Sequence, residues 1–175
     1  MRFDLKVACA VLALAAMPAV AGEAAGPSVG HPLSPLCDLI CGGAWSPDHP
    51  PYPDEIRTTK SYEWDAETRT VRGLEISTGG IAGIRIEVAV TFAYDEAADA
   101  LTVTRTKADA APVAGTVAIG ADGFQMRFPA PDGSGGAMIT VVRFEGADVW
   151  IERSEILEDG RSTLGGEQRF RRKPE

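Results

Sequence analysis

Two arginines carry the strongest chemical signal in this sequence. Arg105 continues the alternating face set by Leu101 and Val103, and Arg153 continues that of Val149 and Ile151. A guanidinium on the apolar side of a strand must reach water or find an anion, because burying an unpaired charge is prohibitively costly. Each arginine can therefore snorkel at a rim, pair with a glutamate, or anchor the carboxylate or phosphate head group of a ligand. In the last case the apolar body of the ligand would lie along Phe92, Phe124, Met126 and Phe128, with Tyr62 and Trp64 on a neighbouring strand. Plain core packing is the competing assignment for these aromatic and Met side chains.

Other chemistries are poorly supplied. Glu63, Glu75, Glu87, Glu152 and Glu155 fall on strands, but their prevailing parity opposes the apolar residues and points to solvent. His31 and His49 stand in Pro- and Gly-rich stretches without carboxylates at a ligand spacing, which argues against a His-based metal or acid–base site. His49 is the single candidate for a haem-type axial ligand. No nucleophile elbow, P-loop or dinucleotide fingerprint is present, and Ser134 between glycines reads as part of a turn. The sequence thus nominates no catalytic residue, no metal ligands and no cofactor, and leans toward a non-enzymatic protein. Cys37 and Cys41 stand four apart, and a disulfide, two buried thiols and a metal or redox pair all stay open.

The elements that must position these residues are strands. Residues 56–173 read as nine or ten short alternating segments separated by acidic and Asp-Gly turns, with no helix among them. The cleanest places Ile84, Ile86, Val88, Val90, Phe92 and Tyr94 on one face against Arg85, Glu87, Ala89, Thr91 and Ala93. In residues 70–77 the apolar parity flips at Gly73, which predicts a bulge or sharp bend there, and Gly165-Gly166 predicts another. Residues 138–144 are apolar on both faces. Before the strands, Leu36, Leu39 and Ile40 give one short helical turn that ends at Gly42-Gly43, and a loop with Pro47, Pro50, Pro51 and Pro53 follows. Consecutive hairpins predict an all-β, up-and-down antiparallel meander of about 8–10 strands closing into a barrel, since closure protects the edges.

Residues 1–21 have the form of a secretory signal. Arg2 and Lys6 precede an apolar stretch, and Ala19-Val20-Ala21 offers a cleavage site. Cys9 opens the apolar stretch rather than following it, which does not fit lipid attachment. Residues 22–35 then form a flexible leader and residues 36–175 one barrel domain. The expected destination is the periplasm or the medium, with no membrane-spanning helix. The chain has a formal net charge of −8, more negative once the segment with Arg2, Lys6 and Asp4 is removed. That balance disfavours binding to nucleic acid or anionic lipid. Arg greatly outnumbers Lys and Asn is absent, a composition that fits a GC-rich bacterial genome. The basic run Arg169, Arg171, Arg172 and Lys173 reads as a solvated strand end.

A short helical turn, the sequence Gly43-Ala44-Trp45 and a hairpin meander over nearly the whole remaining chain together resemble the lipocalin-like (calycin) superfamily. The Gly-x-Trp signature carries most of this likeness. It implies that a basic residue near the end of the barrel packs on Trp45; Arg169, Arg171 and Arg172 are candidates, with Arg171 in the preferred position. The proline loop and the missing long helix after the barrel depart from the lipocalin pattern. Small bacterial families of unknown function share the same features.

The function expected is a periplasmic or secreted binding module for a small, partly apolar molecule. The alternative is a structural or interaction domain of the cell envelope, its barrel filled and its outer surface meeting a protein partner. A binder needs an accessible internal cavity, and a filled barrel should expose an apolar patch instead.

Overall fold

Alternation of apolar and polar side chains builds ten strands here, and the register between them closes a barrel. The computed structural model describes residues 26–130, 135–158 and 161–173. The expected signal segment, Cys9, Ser134 and the Asp159-Gly160 turn lie outside these residues. The helix α1 (Ser34–Ile40) precedes β1 (Ala44–Pro47), β2 (Ile56–Asp65), β3 (Thr70–Gly79), β4 (Ile84–Asp95) and β5 (Ala100–Lys107). There follow β6 (Val113–Gly120), β7 (Gly123–Pro129), β8 (Ala137–Glu145), β9 (Val149–Glu158) and β10 (Arg161–Lys173). Each strand pairs antiparallel with its sequence neighbours, and β1 also pairs with β10, which closes the sheet.

Local chemistry explains the turns. The Asp65 side chain accepts hydrogen bonds from the backbone N–H groups of Glu67 and Thr68, and Asp95 does the same for Ala97 and Ala98. Each of these turns ends on a residue with positive φ, Arg69 at 55° and Asp99 at 48°.

The meander is as expected, with differences at particular strands. β1 was not foreseen: the strand train begins at Ala44, so Trp45 is itself a strand residue. No bulge occurs at Gly73, because the β2–β3 register runs unbroken from Ile56 opposite Gly79 to Asp65 opposite Thr70. Gly73 is there because Tyr62 lies over it; a Cβ at this position would stand 2.2 Å from Tyr62 Cδ1. The second predicted irregularity does occur, as a register shift between Leu164 and Gly166.

The barrel is filled from one end. Leu33, Leu36 and Ile40 bring α1 against the core with no exposed surface. Beside them Trp150 stacks on Tyr62 at 5.7 Å between ring centres and meets Trp45, Phe124, Phe144 and Phe170 edge-on at 5.4–6.1 Å. Such edge and offset contacts suit the ring quadrupoles. At the other end, where β3 leaves and β4 enters, inward-facing side chains stay partly open: Ile86 is 38% exposed.

Candidate functional site

Between the aromatic plug and the open end lies a cluster of charges. Lys60 of β2, Glu75 of β3, Arg105 of β5 and Glu152 of β9 all project inward. Lys60 Nζ donates to Glu152 and stands 3.6 Å from Glu75. Arg105 donates to the other Glu75 oxygen, and the Tyr62 hydroxyl donates to Glu75 at 2.9 Å. Lys60 Nζ also lies 4.8 Å from the ring centres of both Trp150 and Phe170, and Arg105 lies over Phe128 at 6.0 Å. Two cations and two anions leave the cluster formally neutral, which is how so many charges are tolerated in a barrel interior.

Electrostatics follow from this pairing. Burial works to raise the Glu75 carboxyl, but Lys60 and Arg105 outweigh it and hold the group below its usual 4.5. Burial would lower Lys60, yet Glu152 and Glu75 more than compensate and hold it above its usual 10.5. Burial and the neighbouring carboxylates push the Tyr62 phenol well up.

Exposure is uneven across the cluster. Side-chain exposure falls from 32% at Arg105 and 17% at Glu152 to 8% at Glu75 and 4% at Lys60. A molecule entering from the open end would therefore meet one cation and one anion. Around them stand two hydroxyl pairs, Thr58 with Ser77 at 2.8 Å and Thr140 with Ser154 at 3.3 Å. Val88, Phe128, Met138 and Ile156 supply apolar wall on the same inward parity. Among the described residues, no group of three or more His, Cys, Asp or Glu is placed to hold a metal ion.

The residues singled out from sequence divide clearly. Arg105 points into the lumen as expected. Arg153 does not: β9 turns Trp150, Glu152 and Ser154 inward, and Arg153 pairs with Glu155 on the outer face at 2.8 Å. Tyr62, Phe92 and Phe124 belong to the aromatic plug, and Trp64 is capped by the His31 ring at 5.1 Å. Met126 and Phe128 line the lumen and are 6% and 2% exposed. The basic residue on Trp45 is Arg172, 4.5 Å from its ring centre, and its guanidinium also donates to the carbonyls of Leu39, Cys41 and Gly42. Arg171 instead points outward and pairs with Asp48 at 2.7 Å. Trp45 Nε1 donates to Ile40 O, so strand, helix and C-terminal strand meet at this indole. Cys37 and Cys41 are free thiols. His49 is paired with Glu55 and stacked on Tyr52 in the proline loop, remote from the lumen.

Sequence reasoning passed over Lys60 and placed Glu75 and Glu152 in solvent. The usable signal was the parity of the aromatics: Lys60 shares a face with Tyr62 and Trp64, and Glu152 shares one with Trp150.

Two cavities lie outside the lumen. One of about 410 Å³ runs over the outer face of β6–β8 around Gly120, Gly123 and Val141. The other, about 750 Å³, lies between α1 and β2–β3 and is lined by Cys37, Cys41, Trp64, Arg72 and Leu74.

No protein-family model matches this chain, and neither the curated proteins nor the solved structures contain a significant match to it. What stands is the architecture: a closed, ten-stranded antiparallel barrel, compatible with a calycin-like fold and plugged at one end by a short helix and an aromatic cluster.

Proposed function

We propose that this chain is an exported, lipocalin-like binding module. Residues 1–21 direct export and are removed, residues 22–35 lead into the fold, and residues 36–175 form one binding domain in the periplasm or medium. The ligand is small and amphipathic. It enters at the end opposite α1, lays its apolar body against Val88, Phe128, Met138 and Ile156, and presents its polar group to Arg105 and Glu152. Glu75 takes only part of the five-donor guanidinium of Arg105, which leaves N–H groups for a ligand oxygen.

The observation that carries this reading is the uneven burial along the lumen. Plug residues such as Val71, Phe92 and Trp150 are at most 1% exposed, while Ile86 and Arg105 at the far end are about a third exposed. Native mass spectrometry on protein from its own cell envelope should find a co-purifying small molecule. Titration with the amphipathic dye 1-anilinonaphthalene-8-sulfonate should give enhanced fluorescence that Ile86→Arg abolishes and Val141→Arg, on the outer face, leaves intact. Repeated preparations without bound mass, together with dye binding indifferent to Ile86→Arg, would refute it.

A second reading, a filled barrel that acts through its outer surface, is favoured by the two exterior cavities and by Val141, which is 41% exposed. Under it, dye binding follows Val141→Arg instead.

A further inference from the structure

The cysteine pair lies outside the lumen and takes no part in the binding reading. Cys37 ends the first turn of α1, and Cys41 caps the helix with an extended backbone, φ −76° and ψ 160°. The Cys41 N–H donates to Cys37 O at 2.9 Å, which holds the two residues one helical turn apart. One turn brings their Cα atoms to about 6 Å, within the span a disulfide bridges. The φ of Cys41 stays close to the helical value, so its Cβ leaves the last turn on the same face as that of Cys37, and each thiol acts on the ionisation of the other. Both line the 750 Å³ cavity; Cys41 is half-buried and Cys37 only 6% exposed.

The run between them is the seat of the helical plug. Trp45 Nε1 binds Ile40 O, and Arg172 binds the carbonyls of Leu39, Cys41 and Gly42. We propose that Cys37 and Cys41 form an intrachain disulfide that latches this seat, made by exchange with a small-molecule or protein disulfide.

In that exchange the Cys41 thiolate attacks one sulfur of the incoming disulfide and expels a thiolate. The Cys37 thiolate then attacks the Cys41 sulfur of the mixed disulfide and expels the second. The two cysteine sulfurs lose two electrons, the incoming disulfide gains them, and the two thiol protons end on the departing thiolates. Burial pushes both thiols up once α1 has docked, so they are poor nucleophiles in the finished barrel. The bond therefore forms as the chain folds and is sheltered afterwards.

The test uses the full chain in a Cys9→Ser background, refolded from the reduced, unfolded state in a mixture of reduced and oxidised glutathione. After acid quenching and unfolding, the expected product weighs about 2 Da less than the reduced chain and takes up no alkylating reagent. The oxidised chain should melt about 5 °C above the same chain refolded and held in reductant, while the Cys37→Ser/Cys41→Ser variant should melt at the same temperature after either treatment. Two alkylated cysteines, or glutathione adducts without an intrachain bond, would overturn the disulfide. A bond that forms but leaves Tm where it stands in the reduced chain would overturn the latch.

Discussion

Replacing Glu75 by Gln isolates what the charge cluster contributes. The substitution keeps the shape of the side chain but removes one of two anions facing Lys60 and Arg105. Lys60 is 4% exposed and keeps Glu152, while Arg105 is about a third exposed and can recover some hydration. Removing one partner of a buried ion pair costs about 3–5 kcal/mol, and the surviving Lys60–Glu152 pair places this case near 3 kcal/mol. For a chain of this size that corresponds to a Tm fall of roughly 6–12 °C. Urea unfolding followed by Trp fluorescence reads the change as a lower midpoint with an unchanged slope. The pH dependence supplies a second check. Because the folded Glu75 sits below its usual 4.5, its stabilisation is complete above that value and is lost as pH falls through the folded pKa. Wild type and Glu75→Gln should therefore converge in acid. Glu63→Gln, on the outer face of β2, should stay within about 0.5 kcal/mol of wild type. A Glu75→Gln protein as stable as wild type at pH 7, or a deficit that persists unchanged in strong acid, would refute the cluster as drawn.

Further outcomes follow from the same packing. Gly73→Ala should cost about 2–4 kcal/mol in urea unfolding, because its methyl would displace the Tyr62 ring from Trp150 and from its bond to Glu75. Arg172→Met should cost about 2 kcal/mol by removing a cation–π contact and three hydrogen bonds at the end of α1, whereas Arg171→Ala should leave Tm unchanged. Lys60 sits above its usual 10.5, so its stabilisation is complete below that value and lost as pH rises through the folded pKa. Lys60→Met should accordingly flatten the alkaline limb of the urea midpoint against pH.

The fold was legible where one face is buried and the other solvated. β4 alternates without exception, and the structure buries its even positions from Val88 to Phe92. The same logic inverted two strands. On β3, Leu74 and Ile76 look inward by composition, yet Leu74 is 38% exposed and Glu75 is buried, because Gly73 must face the Tyr62 ring. On β9, Val149 and Ile151 are buried on the outer face, opposite Arg171, Arg169 and Arg143 of the adjoining strands, whose aliphatic stems can cover them. That cover made Arg153 look inward and Glu152 look outward. The inward parity of Arg105 holds, since β5 carries no such outer apolar pair. A buried ion cluster leaves little trace in one sequence: each member resembles a surface residue until closure of the barrel brings strands β2, β3, β5 and β9 around one axis.

The central claim is that the lumen is sealed at the α1 end and accessible at the other. Cysteine accessibility tests it directly, with single cysteines at Val71, Val103, Ile86 and Ile156 in a chain whose three native cysteines are Ser. Maleimide should label Ile86→Cys and Ile156→Cys readily, and Val71→Cys and Val103→Cys at least about a hundred-fold more slowly, at the rate of local opening. Equal rates at both ends, or faster labelling at Val71, would contradict it.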